Sequence, residues 1–365
     1  MQYRIGDDMY EKQLFVIQKK IAETVKGASE NPEAAVVNLM KLKKETEGFA
    51  SPTSPEFYNA AATINEAAGD IWLRAKKIAE AETSYKEMVQ ISGKLYELDK
   101  TKFDYRLGFS YYKLASFYRT VLQCGTLNPT PKVLNEHQQK IFTVTEGLYK
   151  NAIACTMENV KKGSLRYVDL HATCMSELLV LLAAVGNYQS AIACGKDGVR
   201  LEKAIYEKLD DKAHSFRLAN RMNALASVYT FMKNVQLAME TLEDAIFVLE
   251  EHEEEDPITF GVMLARNYLT LGSCYSQMKE EADNADTTYQ KGLERMVEVN
   301  KKTNNRLIRD VITSYMIVGD HYKRKKNEEA AKAHYGWAMK MASDLFHQTK
   351  DSYYENIMNR LRPFV

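Results

Sequence analysis

The stretch LASVYTFMKNVQLAMETLEDAI, residues 225–246, holds Ala226, Tyr229, Ala238, Leu242 and Ala245 at offsets of 0, 3, 12, 16 and 19. Offsets 0 and 3 lie one turn apart on one face of a helix, and offsets 12, 16 and 19 continue a single stripe on a second helix. The stretch therefore reads as a helical hairpin whose small residues face each other where its two helices cross.

The pattern recurs along the chain. Gly319, Tyr322, Ala331, Tyr335 and Ala338 repeat the five offsets, as do Gly69, Trp72, Ala81, Tyr85 and Met88. Gly272 and Tyr275 are followed by Ala285, Tyr289 and Gly292 after one extra residue in the turn. Leu179, Leu182, Ala191, Gly195 and Gly198 make a looser copy. Ala115 and Tyr118 supply a first half whose second half, Thr145, Tyr149 and Ala152, comes after an insertion. Ala22, Val25 and Ala34 form the weakest copy.

Between successive offset-0 residues at 22, 69, 115, 179, 226, 272 and 319 the steps are 47, 46, 64, 47, 46 and 47. Five of the six agree within one residue, a regularity that a generic helical bundle has no reason to keep. The long step is explained by CGTLNPTPKVLNEHQ, residues 124–138, which carries two prolines and is expected to leave the stack as an exposed excursion. Glycine inside a helix costs about 1 kcal/mol relative to alanine. Its use at positions 69, 272 and 319 therefore points to a packing need, read from the sequence as close approach of two backbones.

Small residue, Tyr, Ala, aromatic, Ala is the signature of the tetratricopeptide repeat (TPR), which the chain resembles over nearly its whole length. The resemblance implies an all-α fold, a TPR-like right-handed superhelical solenoid of about seven helical hairpins. The units here are longer than the usual repeat of about 34 residues, so each helix is expected to run ~18 to 20 residues, or ~27 to 30 Å. Residues 1–47 are expected to form an N-terminal capping hairpin, 48–350 the solenoid, and 351–365 a C-terminal capping helix and tail.

Composition narrows the function. The 49 basic residues balance 49 acidic ones, so no global field draws the chain to nucleic acid or to an anionic membrane. Five scattered cysteines without a CxxC pair argue against a disulfide framework and a thiolate zinc site. The first residues, MQYRIGDDMYEKQLF, lack the basic and apolar regions of a signal peptide, and the cytoplasm is the expected location.

Enzyme signatures such as HExxH, GxSxG, a Walker loop or a GxGxxG after a strand are absent from the sequence, so a non-catalytic role without cofactor or metal is expected. His171 and Cys174 stand one turn apart in VDLHATC, with no further ligand nearby, and read as an ordinary helix face. The acidic run EEHEEED at 250–256 and the basic run KRKK at 323–326 read as helix ends and turns.

In TPR proteins the first helices of the hairpins line a concave groove. The resemblance places groove positions six and three residues before offset 0, and one and four after it. Of the residues so placed, Tyr112, Arg119, Thr173, Ser176, Asn220, Asn223 and Arg266 are the candidates for binding another protein or an extended peptide. Asparagine carries a donor and an acceptor on one amide and can pair with a peptide backbone of any sequence. The paired Lys and Asn with which some family members clamp a chain terminus do not recur at these positions. The alternative function is a regulatory receptor for a short signalling peptide, because length and repeat number also resemble the Rap-type regulators.

Overall fold

A computed structural model of the chain describes residues 4–48, 51, 53–278 and 282–365. Among these residues there are fifteen α-helices and no strands. Fourteen of the helices pair into seven hairpins: α1 (Arg4–Gly27) with α2 (Pro32–Glu47), α3 (Pro55–Arg74) with α4 (Ile78–Leu98), α5 (Lys100–Val121) with α6 (Glu136–Lys161), α7 (Leu165–Ala184) with α8 (Tyr188–Leu209), α9 (Lys212–Phe231) with α10 (Val235–Glu250), α11 (Pro257–Tyr275) with α12 (Ala282–Lys302), and α13 (Ile308–Arg324) with α14 (Glu328–Thr349). The fifteenth, α15 (Ser352–Leu361), packs on α14. The fold is all-α and TPR-like.

The chain divides into two compact units, Met1–Gly198 and Val199–Val365, with the boundary inside α8. In each unit a hairpin's second helix packs on the first helix of the next, as α4 does on α5 and α12 on α13. Among the described residues α7 alone is long and apolar enough to cross a membrane, and it is core: Leu170, Leu178, Leu179, Leu181 and Leu182 are all buried.

The glycines do not serve the purpose the sequence suggested. A Cβ on Gly69 would lie 2.8–2.9 Å from the ring of Tyr85, one on Gly272 2.9–3.1 Å from that of Tyr289, and one on Gly319 2.7–3.2 Å from that of Tyr335. Offset 0 is small because the offset-16 aromatic lies flat over it. The close approach of backbones occurs instead at offset 19, where a Cβ on Gly292 would stand 3.0 Å from the Ala265 carbonyl oxygen and the Leu269 nitrogen. Tyr85, Tyr149, Tyr289 and Tyr335 are among the largest fully buried side chains. The looser copy is the same pair with its volumes exchanged: Leu179 stands at offset 0, Gly195 at offset 16, and both are buried.

The N-terminal hairpin does not follow the ruler, since Ala22 and Ala34 are exposed. Its core is made by Ile17, Ile21, Leu39 and Leu42, with Ala28 and Ala35 beside them, and it holds no small–aromatic pair. The insertion also differs from a free excursion. Residues 128–131 are exposed, but Cys124 is buried, the Lys132 N–H donates to the Ala184 carbonyl at 2.7 Å, and its Nζ donates to the Leu122 carbonyl at 2.6 Å. Pro131 lies against Gly186, and from Glu136 onward the insertion is already α6.

The charge runs are consumed by the fold. Glu251 accepts from Tyr206 Oη at 2.5 Å, His252 Nδ1 meets Glu255 at 2.7 Å, Glu253 pairs with Arg295, and Asp256 caps α11. In the basic run, Lys325 pairs with Asp286 at 2.8 Å and Arg324 donates to Tyr289 Oη at 3.3 Å. His171 is buried with Nδ1 2.8 Å from Thr156 Oγ1, and Cys174 is buried.

Candidate binding groove

In the second unit the first helices α9 and α11 are each set by a side-chain cap. Asp211 accepts the His214 N–H at 2.9 Å, and Asp256 accepts the Thr259 N–H at 3.1 Å, with Pro257 in the first turn. Both caps satisfy backbone donors that a helix start leaves open. The helices then present parallel stripes: Asn220, Asn223 and Ser227 on α9, and Thr259, Val262, Arg266 and Thr270 on α11. Spacings of three and four residues put each set on one face.

Between these stripes lies a cavity of about 780 Å³. Its third wall is the turn after α12, from Lys302 through Thr303, Asn304 and Arg306 to Leu307. Asn304 and Asn305 take the left-handed conformation, at φ 53° and 63°, which asparagine tolerates better than most residues. Buried Asn300 holds the turn: its Oδ1 accepts the Leu307 N–H and its Nδ2 donates to Asn305 Oδ1, both at 3.0 Å. Phe216, Leu242 and Met263 give the cavity apolar surface.

Two polar atoms in this lining lack a hydrogen-bond partner among the described residues although they are buried: Oδ1 of Asn223 and Nδ2 of Asn267. Asn267 is only 2% exposed. A buried group left unpaired costs about 1–3 kcal/mol, and such groups are few in native proteins. One here is an acceptor on α9 and the other a donor on α11.

The charge of the lining is one-sided. Arg266, Lys302 and Arg306 line the cavity, and no carboxylate does among the described lining residues. Arg266 Nη2 meets Asp310 at 2.7 Å and Lys302 Nζ meets Glu298 at 2.7 Å, whereas the exposed Arg306 has no ion pair among the described residues. A second hollow of about 540 Å³ continues along α11 to α13, sharing Arg266 and Thr270 and adding Leu269, Ser273 and Asp320. Within this unit the groove therefore runs over three successive first helices.

Of the seven candidate residues, the structure gathers Asn220, Asn223 and Arg266 around the 780 Å³ cavity. The other four lie in the first unit, on α5 and α7. There Arg119 is paired with Glu177, and Tyr112 is a half-buried phenol whose pKa burial pushes up. Ser176 donates to the Ala172 carbonyl at 3.1 Å, and Thr173 is half-buried beside it on α7. Reading the sequence by groove positions overlooked Asn267, which falls between two of them, and the whole 302–307 turn. The Asn304–Asn305 dipeptide was the available signal for that turn.

No family model matches the chain, and no curated protein does. Solved structures do. The nuclear import adaptor Nro1 of S. pombe is similar at a TM-score of 0.52 and 11% identity, over 80% of this chain and 95% of that one. A second Nro1 structure, described as a hypoxic regulator of sterol synthesis, matches at 0.54 and 12%, over 86% and 94%. The apo form of RapI matches at 0.50 and 9%, over 92% and 98%. At these identities the likeness is one of fold.

Proposed function

We propose that this chain is a non-catalytic scaffold that takes an extended peptide, free or displayed by another protein, in the groove of its second unit. The observation that carries the reading is the unpaired acceptor of Asn223 and the unpaired donor of Asn267 on neighbouring first helices in one cavity. A peptide backbone offers the complementary N–H and C=O at every residue, and binding it removes the cost of leaving both amides unsatisfied. A cavity of about 780 Å³ falls within the ~300–1,000 Å³ of ordinary ligand pockets, room for a few residues of an extended chain.

The test is affinity selection from a random eight-residue peptide library, comparing the parent with Asn223→Ala combined with Asn267→Leu. Leucine has nearly the shape of asparagine and nothing to satisfy. The variant is expected to melt no lower than the parent and to retain at least ten-fold less peptide, since two hydrogen bonds at about 1 kcal/mol each are lost. Equal peptide recovery by both proteins would move the binding surface off this groove.

A further inference from the structure

Resting on that reading, we infer that the peptide this cavity takes carries a carboxylate, held against the turn between α12 and α13 by Arg306 with Lys302 beside it. The chain as a whole is neutral, with 49 basic and 49 acidic residues. The cavity lining is not: three cations and, among the described lining residues, no carboxylate. Asp310 and Glu298 outside the lining partly offset Arg266 and Lys302. Arg306 has no such counter-charge among the described residues, yet its turn is held by Asn300 through two side-chain hydrogen bonds. A cation on a fixed turn beside an apolar cavity is arranged for an anion, and guanidinium accepts a carboxylate through two parallel hydrogen bonds.

The buried donor agrees with this assignment. Asn267 Nδ2, in a side chain 98% removed from solvent, needs an acceptor and finds none in the described protein. A peptide brings carbonyl oxygens along its backbone and two more acceptors wherever a carboxylate stands. The apolar lining from Phe216, Val262, Met263 and Leu307 adds a preference for an aliphatic or aromatic side chain next to that carboxylate. Arg306 and Lys302 come from a turn and from the end of α12, whereas Arg266 stands on one of the helix positions by which the sequence was first read.

A carboxylate has two sources in a peptide, the C-terminus and an Asp or Glu side chain. Two eight-residue libraries, identical except that one ends in a free acid and the other in an amide, separate them. Each is offered to the parent, to Arg306→Ala and to Arg306→Glu, and the retained peptides are sequenced by mass spectrometry. Enrichment of the free-acid library, or of Asp and Glu at one position in both libraries, supports the inference and names the source. Either enrichment is expected to fall about ten-fold in Arg306→Ala and further in Arg306→Glu. The exposed position of Arg306 leaves melting temperature unchanged in both variants. Acid and amide peptides retained equally, without acidic enrichment but still lost on Asn223→Ala combined with Asn267→Leu, would overturn the carboxylate while leaving the peptide groove intact. No peptide retained through the groove at all would remove both.

Discussion

Gly319 in α13 and Gly336 in α14 are both helical glycines of one hairpin, yet a methyl group has opposite consequences at the two. At Gly319 it would meet the Tyr335 ring at 2.7 Å. That ring cannot step aside: it is buried, its hydroxyl donates to Asp320 Oδ1 at 2.6 Å, and its outer face lies 5.3 Å from the Phe364 ring. Gly319→Ala is expected to destabilise the protein by about 1–3 kcal/mol through overpacking. At Gly336 nothing stands within 4 Å of the new Cβ, so Gly336→Ala is expected to stabilise by up to about 1 kcal/mol through helix propensity alone. Urea denaturation of the pair checks the assignment, and shifts of the same sign would rule out the volume pairing of offsets 0 and 16. Residue by residue, the sequence exposed the need for a small side chain at these positions. It hid the reason, because one stripe of letters looks the same whether a backbone or a ring presses on it.

Four of the hairpin turns close in one way. The residue at offset 7 is left-handed in four hairpins: Lys76 at φ 60°, Gly186 at 82°, Lys233 at 58° and Lys326 at 59°. The next N–H then donates back to the carbonyl at offset 3, from Lys77 to Trp72, Asn187 to Leu182, Asn234 to Tyr229 and Asn327 to Tyr322, at 2.9–3.0 Å. This six-to-one bond satisfies a carbonyl that the end of a helix leaves open. Asn234 and Asn327 also cap the following helix, accepting from Leu237 and Ala330 N–H at 3.4 and 3.1 Å. Lysine in this conformation is strained by about 1–2 kcal/mol, and a β-branched residue fares worse. Lys326→Val is expected to lower the midpoint of unfolding, whereas Lys326→Gly keeps or raises it; equal loss in both would mean that the lysine side chain, not the backbone, matters there. The left-handed residue itself was not legible at Lys76, Lys233 and Lys326, because lysine, unlike Gly186, carries no turn signal of its own. The Asn that follows it does, and reading the pair together finds two of the four. The N-terminal hairpin lies where the period puts it, but the ruler residues Ala22 and Ala34 miss its core for a related reason: Ile17 and Ile21 fill its crossing with bulk, and a ruler made of small residues has nothing to hold.

Across the whole chain, the period alone sufficed for seven hairpins, since a solenoid repeats one local solution and each repeat need only fit its neighbours. The groove was half legible. Asn220, Asn223 and Arg266 stand on first-helix positions that any hairpin of this class presents, but Asn267 and Arg306 belong to the particular way α11 and the 302–307 turn meet, which no repeat pattern encodes. The same nearest-neighbour logic governs the C-terminal end. Tyr354 and Leu361 of α15 are buried against Ile312, Tyr335, Ala338 and Ala342 of the last hairpin. Arg309 of α13 reaches across to Asp351 at 2.5 Å and stacks 4.6 Å from the Tyr353 ring. Deleting residues 352–365 removes two fully buried large side chains, worth about 1.5–3 kcal/mol each, from one end of the array. If stability is held locally, amide hydrogen exchange in the truncated chain should lose protection in α13 and α14, less in α11 and α12, and not at all in α3 and α4. Faster exchange spread evenly from α3 to α14 would mean instead that the hairpins unfold as a single cooperative block, and that α15 stabilises all of them together.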